Sequence, residues 1–313
     1  MMTANRRVTG GEGVRCGVVT SADSTPEFDR FGPWIDEVRT FDEMPRLYRR
    51  AGLDPSAYRL VLKVPRDIER RNAHPGMHLY DYLIAVDEET LTVLTRRDDG
   101  YDTHRVAHDR IAAIADSVRL LSGLLTVHTV DGQRLTVRYN ASANGPVREL
   151  MTLLRRWYLP AGVPGDDEPY RVDPVLSRAD TGLLTDYHRM ITQEPGMRVI
   201  NVAERRVVTP HSPLGRLRDR VWPTVLHASI VVADDREIQI IHRRDWFTGA
   251  GDDLSLARTV LARSRITGIQ VRAHDRYRDV QILTIQAGGT HLEFFLAGGS
   301  LVESILSGDA VSI

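Results

Sequence analysis

Apolar and polar positions recur in the same order in the two halves of this chain. Each half opens with a short amphipathic helix, because apolar residues at the spacing i, i+3, i+6, i+7 fall on one helical face. These residues are Phe41, Met44, Leu47 and Tyr48 in the first half, and Leu184, Tyr187, Met190 and Ile191 in the second. Proline is tolerated only in the first turn of a helix, so Pro45 predicts that the first helix begins near residues 42–44.

Extended segments follow both helices and predict antiparallel strands. Residues 58–62 and 197–201 are rich in β-branched and aromatic side chains and predict the first strand of each half. Hairpins with acidic turns come next, at residues 83–94 and 229–240. A later hairpin in each half turns on Asp131-Gly132 or Gly288-Gly289, where glycine supplies the positive φ of a tight turn.

Each half then ends with a helix signal. Asn144-Gly145-Pro146 precedes apolar positions from Val147 to Trp157, and Ser300 with Glu303 forms a capping box before a second apolar run at 301–306. A parallel α/β sheet needs helices between its strands, so this order of elements excludes one. The sequence predicts a β-rich α+β fold with about seven antiparallel strands and a C-terminal helix in each half.

The order of these segments resembles bacterial pleckstrin-homology-like domains, which overlap the GRAM-like modules. The resemblance rests on the hairpin at 83–94, the segments 110–114 and 121–127, and the closing helix, and it recurs at 229–305. It implies two tandem units, each with seven antiparallel strands in two packed sheets and a C-terminal helix. The short N-terminal helix that the apolar spacing predicts in each half is an addition to the usual pattern. It also implies a binding platform for peptides, partner subunits or the protein itself, and in some relatives for anionic lipid.

The repeat and the punctuation between its copies predict four segments. Residues 1–38 carry few periodic apolar positions and predict a mobile N-terminal arm, followed by a first unit at 39–158. Residues 159–179 hold the proline, glycine and acidic content of a linker, and the second unit covers 180–313.

Composition and charge narrow the class of protein. The chain has 313 residues, 42% of them apolar, which is enough for two cores. Lysine plus arginine number 41 against 42 aspartate plus glutamate, so we expect no nucleic-acid binding from overall charge. Cys16 is the single cysteine, and no run of about 18 apolar residues occurs. These features predict a cytoplasmic location, with peripheral attachment to a membrane as an alternative.

Candidate catalytic and metal-binding patterns are weak. His74 with His78 and His104 with His108 have helical metal-ligand spacing, but neither pair lies in a predicted helix. No phosphate-binding loop, nucleophile elbow or zinc-protease motif occurs in the sequence. We therefore expect no enzyme activity, no cofactor and no metal, with an enzyme built from scattered residues as an alternative.

The resemblance directs attention to the connection between the first two strands, where lipid-binding relatives carry a basic anion site. The basic residues in this connection are Lys63, Arg66, Arg70 and Arg71 in the first half, and Arg205, Arg206, Arg216, Arg218 and Arg220 in the second. Such a cluster suits bidentate contacts to phosphate. The alternative is a solvated loop whose arginines pair with Asp67, Glu69 or Asp219.

Four aromatic residues are candidates for contact with a partner or between the units. Trp246 and Phe247 begin a long loop in the second half, and exposed aromatic residues there would mark a contact site. Trp157 and Trp222 flank the boundary and predict a fixed contact between the units. For Trp246 and Phe247 the alternative is that they fold back on the seam between the units. For Trp157 and Trp222 the alternative is that each ring packs inside its own unit.

These observations together predict a non-enzymatic binding or scaffolding protein whose partner is another protein or a second copy of the chain. A peripheral protein that binds anionic lipid or phosphate groups through its arginine-rich loops is the alternative.

Overall fold

A computed structural model describes residues 25–161, 174–194, 196–249 and 253–297. The first 24 residues, most of the predicted linker, and the closing helix predicted behind Ser300 and Glu303 lie outside the described residues. The described chain is rich in β-structure, with several antiparallel sheets and few helices.

The described part of the first half contains eight strands and two α-helices. Their bounds are α1 Pro26–Asp29, β1 Asp36–Glu37, β2 Leu60–Pro65, β3 Tyr80–Val86, β4 Thr90–Arg97, β5 Gly100–Ala107, β6 Ile111–Arg119, β7 Ser122–Thr129, β8 Arg134–Asn140 and α2 Gly145–Tyr158. Short 3-10 turns connect them at Phe41–Glu43, Tyr48–Ala51, Pro55–Ala57, Arg70–Asn72, His108–Arg110 and Ala141–Ala143.

The second half follows the same general order. Its elements are α3 Thr181–Gln193, β9 Arg198–Ala203, β10 Arg206–Val207, α4 Pro213–Asp219, β11 Thr224–Leu226, β12 Ser229–Ala233, β13 Glu237–His242, β14 Phe247–Gly249, β15 Leu256–Ala262, β16 Gly268–Ala273, β17 Val280–Ala287 and β18 Thr290–Ala297. Its 3-10 turns are Arg178–Asp180 and Arg263–Arg265. The predicted hairpins, α2 and the helix at α3 are all present.

Four sheets hold these strands. The first runs β1-β2-β3-β4-β5, and a small sheet runs β10-β11-β14. A seven-stranded sheet runs β8-β7-β6-β15-β13-β12-β9, and the last runs β16-β17-β18. The seven-stranded sheet therefore takes three strands from the first half and four from the second.

The joint between the halves is the antiparallel pairing of β6 with β15, which we call the junction. Its register sets Leu256 opposite Val118 and Leu261 opposite Ala113. The sequence predicts that each unit keeps its own pair of sheets, and the structure differs at this edge. Pairing β6 with β15 satisfies backbone N–H and C=O groups that two separate units would leave open to water.

The cores lie between sheets and are shared across the junction. One cluster joins the first sheet to β6–β8 and α2, and it includes Val260 and Ala262 of the second half. Another joins the second half's strands to the last sheet, and it includes Ala113 of the first half. The outer faces are covered by the segments that precede each first strand: Met44, Leu47 and Tyr48 pack on the first sheet, and α3 packs on β12 and β13.

Two local predictions are wrong. Residues 25–38, predicted as part of a mobile arm, form α1 and β1 and bury Phe31, Ile35 and Val38. These apolar positions follow no single period, so their packing leaves no pattern in the sequence. The first leading helix is two 3-10 turns, because the residue before a proline prefers extended backbone and Met44 has φ −67° and ψ 132°.

The junction gives a prediction about the separated halves. We expect fragments 25–161 and 174–313 to be less soluble and less stable alone than in the full chain, because separation exposes the β6 and β15 edges and opens both cores. Thermal unfolding and sedimentation of each fragment measure this. Two monomeric fragments as stable alone as together would contradict a shared sheet.

Candidate functional site

The predicted basic residues of the first half contact other residues of the same half. Lys63 is buried in β2, and its Nζ donates to the Glu43 carbonyl at 3.2 Å and lies 5.4 Å from the centre of the Tyr80 ring. Arg66 donates to the His78 carbonyl at 3.2 Å.

The two remaining basic residues of this set hold local structure. Arg70 donates to the Phe31 carbonyl and stacks on the Phe28 ring at 4.5 Å, which fastens the N-terminal segment to the first sheet. Arg71 pairs with Glu69. Lys63, Arg66 and Arg70 therefore have partners within the fold, and Arg70 holds the N-terminal segment in place.

The basic residues of the second half lie in and around α4. Ser212 is the N-cap of this helix and accepts from the Gly215 N–H at 3.0 Å, with Pro213 in the first turn. A Cβ atom at Gly215 would lie 2.7 Å from the Ser212 Oγ, so the cap needs glycine there. Arg205 and Arg206 lie at β10, Arg216 and Arg218 belong to α4, and Arg220 follows it.

Large apolar side chains stand exposed on this same segment, which we call the α4 finger (residues 211–222). The exposed fractions are 83% for Leu214, 67% for Leu217, 67% for Val221 and 71% for Trp222. Leu214 and Leu217 follow the spacing i, i+3 and share one face of α4, and Val221 and Trp222 lie just after the end of the helix at Asp219. Exposed apolar side chains grouped on one segment make it a candidate contact surface, because large exposed apolar patches are uncommon on folded monomers.

Arginines alternate with these apolar residues. The Arg216 Nη1 makes one long hydrogen bond, 3.4 Å to the His211 carbonyl, and Arg218 contacts its neighbour Asp219 at 3.0 Å. Arg220 is exposed. The finger therefore presents apolar and cationic groups together, and its exposed guanidinium groups keep most of their hydrogen-bonding capacity.

Trp246 and Phe247 are half-buried and pack within the second half, so the structure differs from the predicted exposed contact loop. Trp246 stacks on His242 at 4.4 Å between ring centres and meets Phe294 edge-on at 6.2 Å. Phe247 stacks on Tyr277 at 5.1 Å. The aromatic partners come from β13, β18 and the loop before β17, segments whose proximity the sequence pattern does not show.

The predicted pair of tryptophans at the contact between units is also corrected. Trp157 stacks on His108 of its own half at 5.3 Å, and Trp222 is exposed on the α4 finger. The neighbouring Tyr158 makes the contact instead, since its hydroxyl donates to the Val260 carbonyl of β15 at 3.2 Å.

A group of charged and polar side chains, some buried and some half-buried, lies beside the junction, and no pattern in the sequence marks it. Arg155 of α2 donates to Glu194 at 2.8 Å and to Glu237 at 3.1 Å. Arg258 of β15 also donates to Glu194, at 2.8 Å, and Gln239 links the two carboxylates at 2.6 and 2.7 Å. We call these five residues the junction network.

Burial and charge act in opposition within this network. Burial raises the pKa of Glu237, because its side chain is fully enclosed, and the contacts with Arg155 offset only part of that rise. Burial acts in the same direction on Glu194, but Arg258 and Arg155 outweigh it and lower its pKa. Both carboxylates depend on the guanidinium groups to remain ionised.

Asp116 of β6 stands opposite Arg258 in the junction register. Burial raises the pKa of Asp116 to about 6, although the Tyr139 hydroxyl donates to its carboxylate at 2.6 Å. A raised carboxyl pKa can mark an acid–base site, but such a site also needs access for a substrate. The cavities of about 380 and 240 Å³ in the described chain are lined by other residues, around Leu254 and around Lys63 respectively.

Metal ligands, membrane-spanning helices and known proteins add no further candidate for the function. Within the described ranges, no three His, Cys, Asp or Glu side chains come close enough together to hold a metal ion. None of the helices in the described part of the chain combines the length and apolar character that crossing a membrane requires. No family model, curated protein or solved structure matches this sequence or fold.

The junction network predicts a large effect of Arg155→Met. The substitution leaves Glu237 and Glu194 buried with less compensating charge, so we expect a loss of about 3–5 kcal/mol in the free energy of unfolding. Denaturant unfolding measures it, with the exposed neighbour Arg156→Met as the matched control. Equal effects of the two substitutions would show that the network does not stabilise the junction.

Asp116→Asn should stabilise the protein in a pH-dependent manner. The folded-state pKa of Asp116 lies above its unfolded value, so ionisation destabilises the folded state as pH rises from about 4 to about 6. Asparagine removes this effect, so its advantage over the wild type should grow by ~3 kcal/mol across that range, at 1.36 kcal/mol per pKa unit. Asp99→Asn, at an exposed position, is the control, and a difference independent of pH would contradict the buried charge.

Proposed function

We propose that this chain is a non-enzymatic binding protein, built from two tandem pleckstrin-homology-like units, and that the α4 finger is its docking surface. The strand order supports the tandem. In the first half four strands, β2–β5, precede three, β6–β8, and the helix α2. In the second half the four-stranded part is β9, β12, β13 and β15, and the three-stranded part is β16–β18.

The observation that carries the functional proposal is the exposure of Leu214, Leu217, Val221 and Trp222 on a segment that also holds Arg216, Arg218 and Arg220. The segment lies between β9 and β12, in the connection where the resemblance implies an anion site. We commit to an anionic membrane surface as its ligand, because apolar side chains and arginines on one short helix suit the boundary between headgroups and acyl chains.

The magnitudes are sufficient for reversible attachment. Each arginine near an anionic surface contributes about 1 kcal/mol, and removing a leucine or valine side chain from water contributes about 1.5–3 kcal/mol. A tryptophan adds an amphipathic ring that prefers the interface. The proposal assigns the protein to the cytoplasmic side, where anionic lipid faces the cell interior.

A protein partner is the second candidate, and the composition of the finger favours it too. Tryptophan and arginine are the residues that most often dominate binding energy at protein interfaces. Trp222, which follows Arg220 and Val221 and is 71% exposed, would then be the central contact.

Vesicle co-sedimentation tests the proposal. We expect the protein to pellet with vesicles that contain phosphatidylserine and to remain in solution with phosphatidylcholine alone, with binding that weakens as salt rises. Replacing Arg216, Arg218 and Arg220 by glutamine should remove the lipid selectivity, and Leu217→Ser with Trp222→Ser should remove binding.

Matched controls lie in the first half of the chain. Trp34→Ser changes a tryptophan that is 54% exposed, and Arg71→Gln with Arg97→Gln removes exposed charges. These variants should bind as the wild type does. Binding that survives the finger substitutions, or absence of binding to either vesicle, contradicts the membrane proposal.

A further inference from the structure

Among the described residues, the strands β5 and β16 each have an unpaired outer edge. β5 ends the sheet β1-β2-β3-β4-β5, and β16 begins the sheet β16-β17-β18. Side chains are exposed along both, including Asp102, Thr103 and His104 on β5 and Gln270 and Arg272 on β16. An open edge offers a row of backbone donors and acceptors to another strand.

These two strands correspond to the two strands that form the junction. β5 and β15 each pair with the second strand of an acidic-turn hairpin and run into a 3-10 turn. The same hydrogen bond follows each strand: His108 N–H donates to the Glu89 carbonyl at 2.9 Å, and Arg263 N–H donates to that of Arg236 at 2.8 Å. An equivalent Arg-Ile step lies at the start of β6, at 110–111, and just before β16, at 265–266.

The junction is therefore heterologous: a β6-type strand of one half meets a β15-type strand of the other. Because β6 and β15 pair with each other inside the chain, the outer edges of their equivalents, β16 and β5, stay unpaired in the described residues. A head-to-tail contact that uses different surfaces on its two sides can repeat into rings or open filaments.

We propose that β16 of one molecule pairs antiparallel with β5 of a second copy, so that the junction repeats between molecules and assembles them head to tail. A second copy is the ligand that fits, because the chain already demonstrates this pairing between equivalent strands. Continuity with the junction distinguishes these two edges from arbitrary open strands.

When the register of the junction is applied to β5 and β16, opposite charges face each other. Ala257 stands opposite Ser117 in the junction, and the equivalent positions at the free edges are Asp102 and Arg272. Both are exposed and lie in surface ion pairs, Asp102 with Arg97 at 2.7 Å and Arg272 with Asp275 at 3.1 Å. Directly opposed unlike charges favour strand pairing, and like charges oppose it.

The rest of that register contains no like-charge pair. Tyr101 would face Ala273, His104 would face Gln270, and Arg105 would face Ile269. The contact between molecules lacks the covalent tether of the junction, so assembly should depend on protein concentration. Repetition would also array many α4 fingers on one object, which strengthens surface attachment through multivalency.

Charge reversal at the two ends tests the assembly in solution, without vesicles. We expect the full chain to form a concentration-dependent series of species in sedimentation velocity. Asp102→Arg alone and Arg272→Asp alone each create a like-charge pair, so each should raise the concentration needed for assembly by roughly tenfold.

Restoration is the decisive result. The double variant Asp102→Arg with Arg272→Asp should assemble as the wild type does, and an equimolar mixture of the two single variants should also recover assembly, because each end again meets an opposite charge. Asp99→Arg and Arg278→Asp make the same charge changes at exposed positions outside the two strands and should have no effect.

Three results would overturn the proposal. A chain that stays monomeric at every concentration does not assemble. A closed dimer insensitive to Arg272→Asp would indicate that two β5 edges pair with each other. Assembly that both single variants weaken, without recovery in the double variant or the mixture, would show that Asp102 and Arg272 do not face each other.

Discussion

The pairing of β6 with β15 is the constraint on which the rest of the molecule depends. It turns two repeated halves into one structure, because the seven-stranded sheet cannot be divided without breaking backbone hydrogen bonds. Side chains follow the backbone: Val260 and Ala262 complete the first half's core, and Ala113 contributes to the second's. Each half therefore packs against side chains that the other half supplies.

The junction network fixes the geometry of this joint more than it adds net stability. Removing charges such as Glu237 and Arg155 from water is unfavourable, and apolar residues of similar volume could fill the same space. The network instead ties together elements that have few other links, since Arg155 of α2 reaches Glu194 after α3 as well as Glu237 of β13. Glu194 and Glu237 keep their guanidinium partners only when α2, β13 and β15 all occupy their observed positions. A shifted register in the junction would break these contacts and is therefore disfavoured.

The sequence predicts the local elements well and the joint between them poorly. Hairpins and α2 have strong signals, because alternation, glycine turns and helical spacing are local properties. The pairing of β6 with β15 has none, since it is made by backbone groups that every residue carries. The aromatic contacts of Trp246 fail for a related reason: His242 and Phe294 are remote in sequence, and only the fold brings them together.

Prediction of the candidate site divides in the same way. The arginines of the α4 finger are predicted site residues because they lie between two predicted strands. Leu214, Leu217 and Val221 are not among the predicted site residues, although their helical spacing is visible in the sequence. Their spacing alone is typical of a buried face, and exposure appears only once the rest of the fold is found to leave that face uncovered.

Arginine serves two purposes in this chain, and the acceptors within reach distinguish them. Arg243 is 3% exposed and donates to the Ser255 and Ala179 carbonyls, each at 2.8 Å, and Arg155 bridges two carboxylates. A planar guanidinium with several donors suits such sites, where an ammonium would leave acceptors unsatisfied. Arg216 and Arg218 have the same donors but face water, with only local acceptors nearby. The hydrogen-bond donors that arginine uses inside the protein remain available on the α4 finger, and an external anion would accept from them.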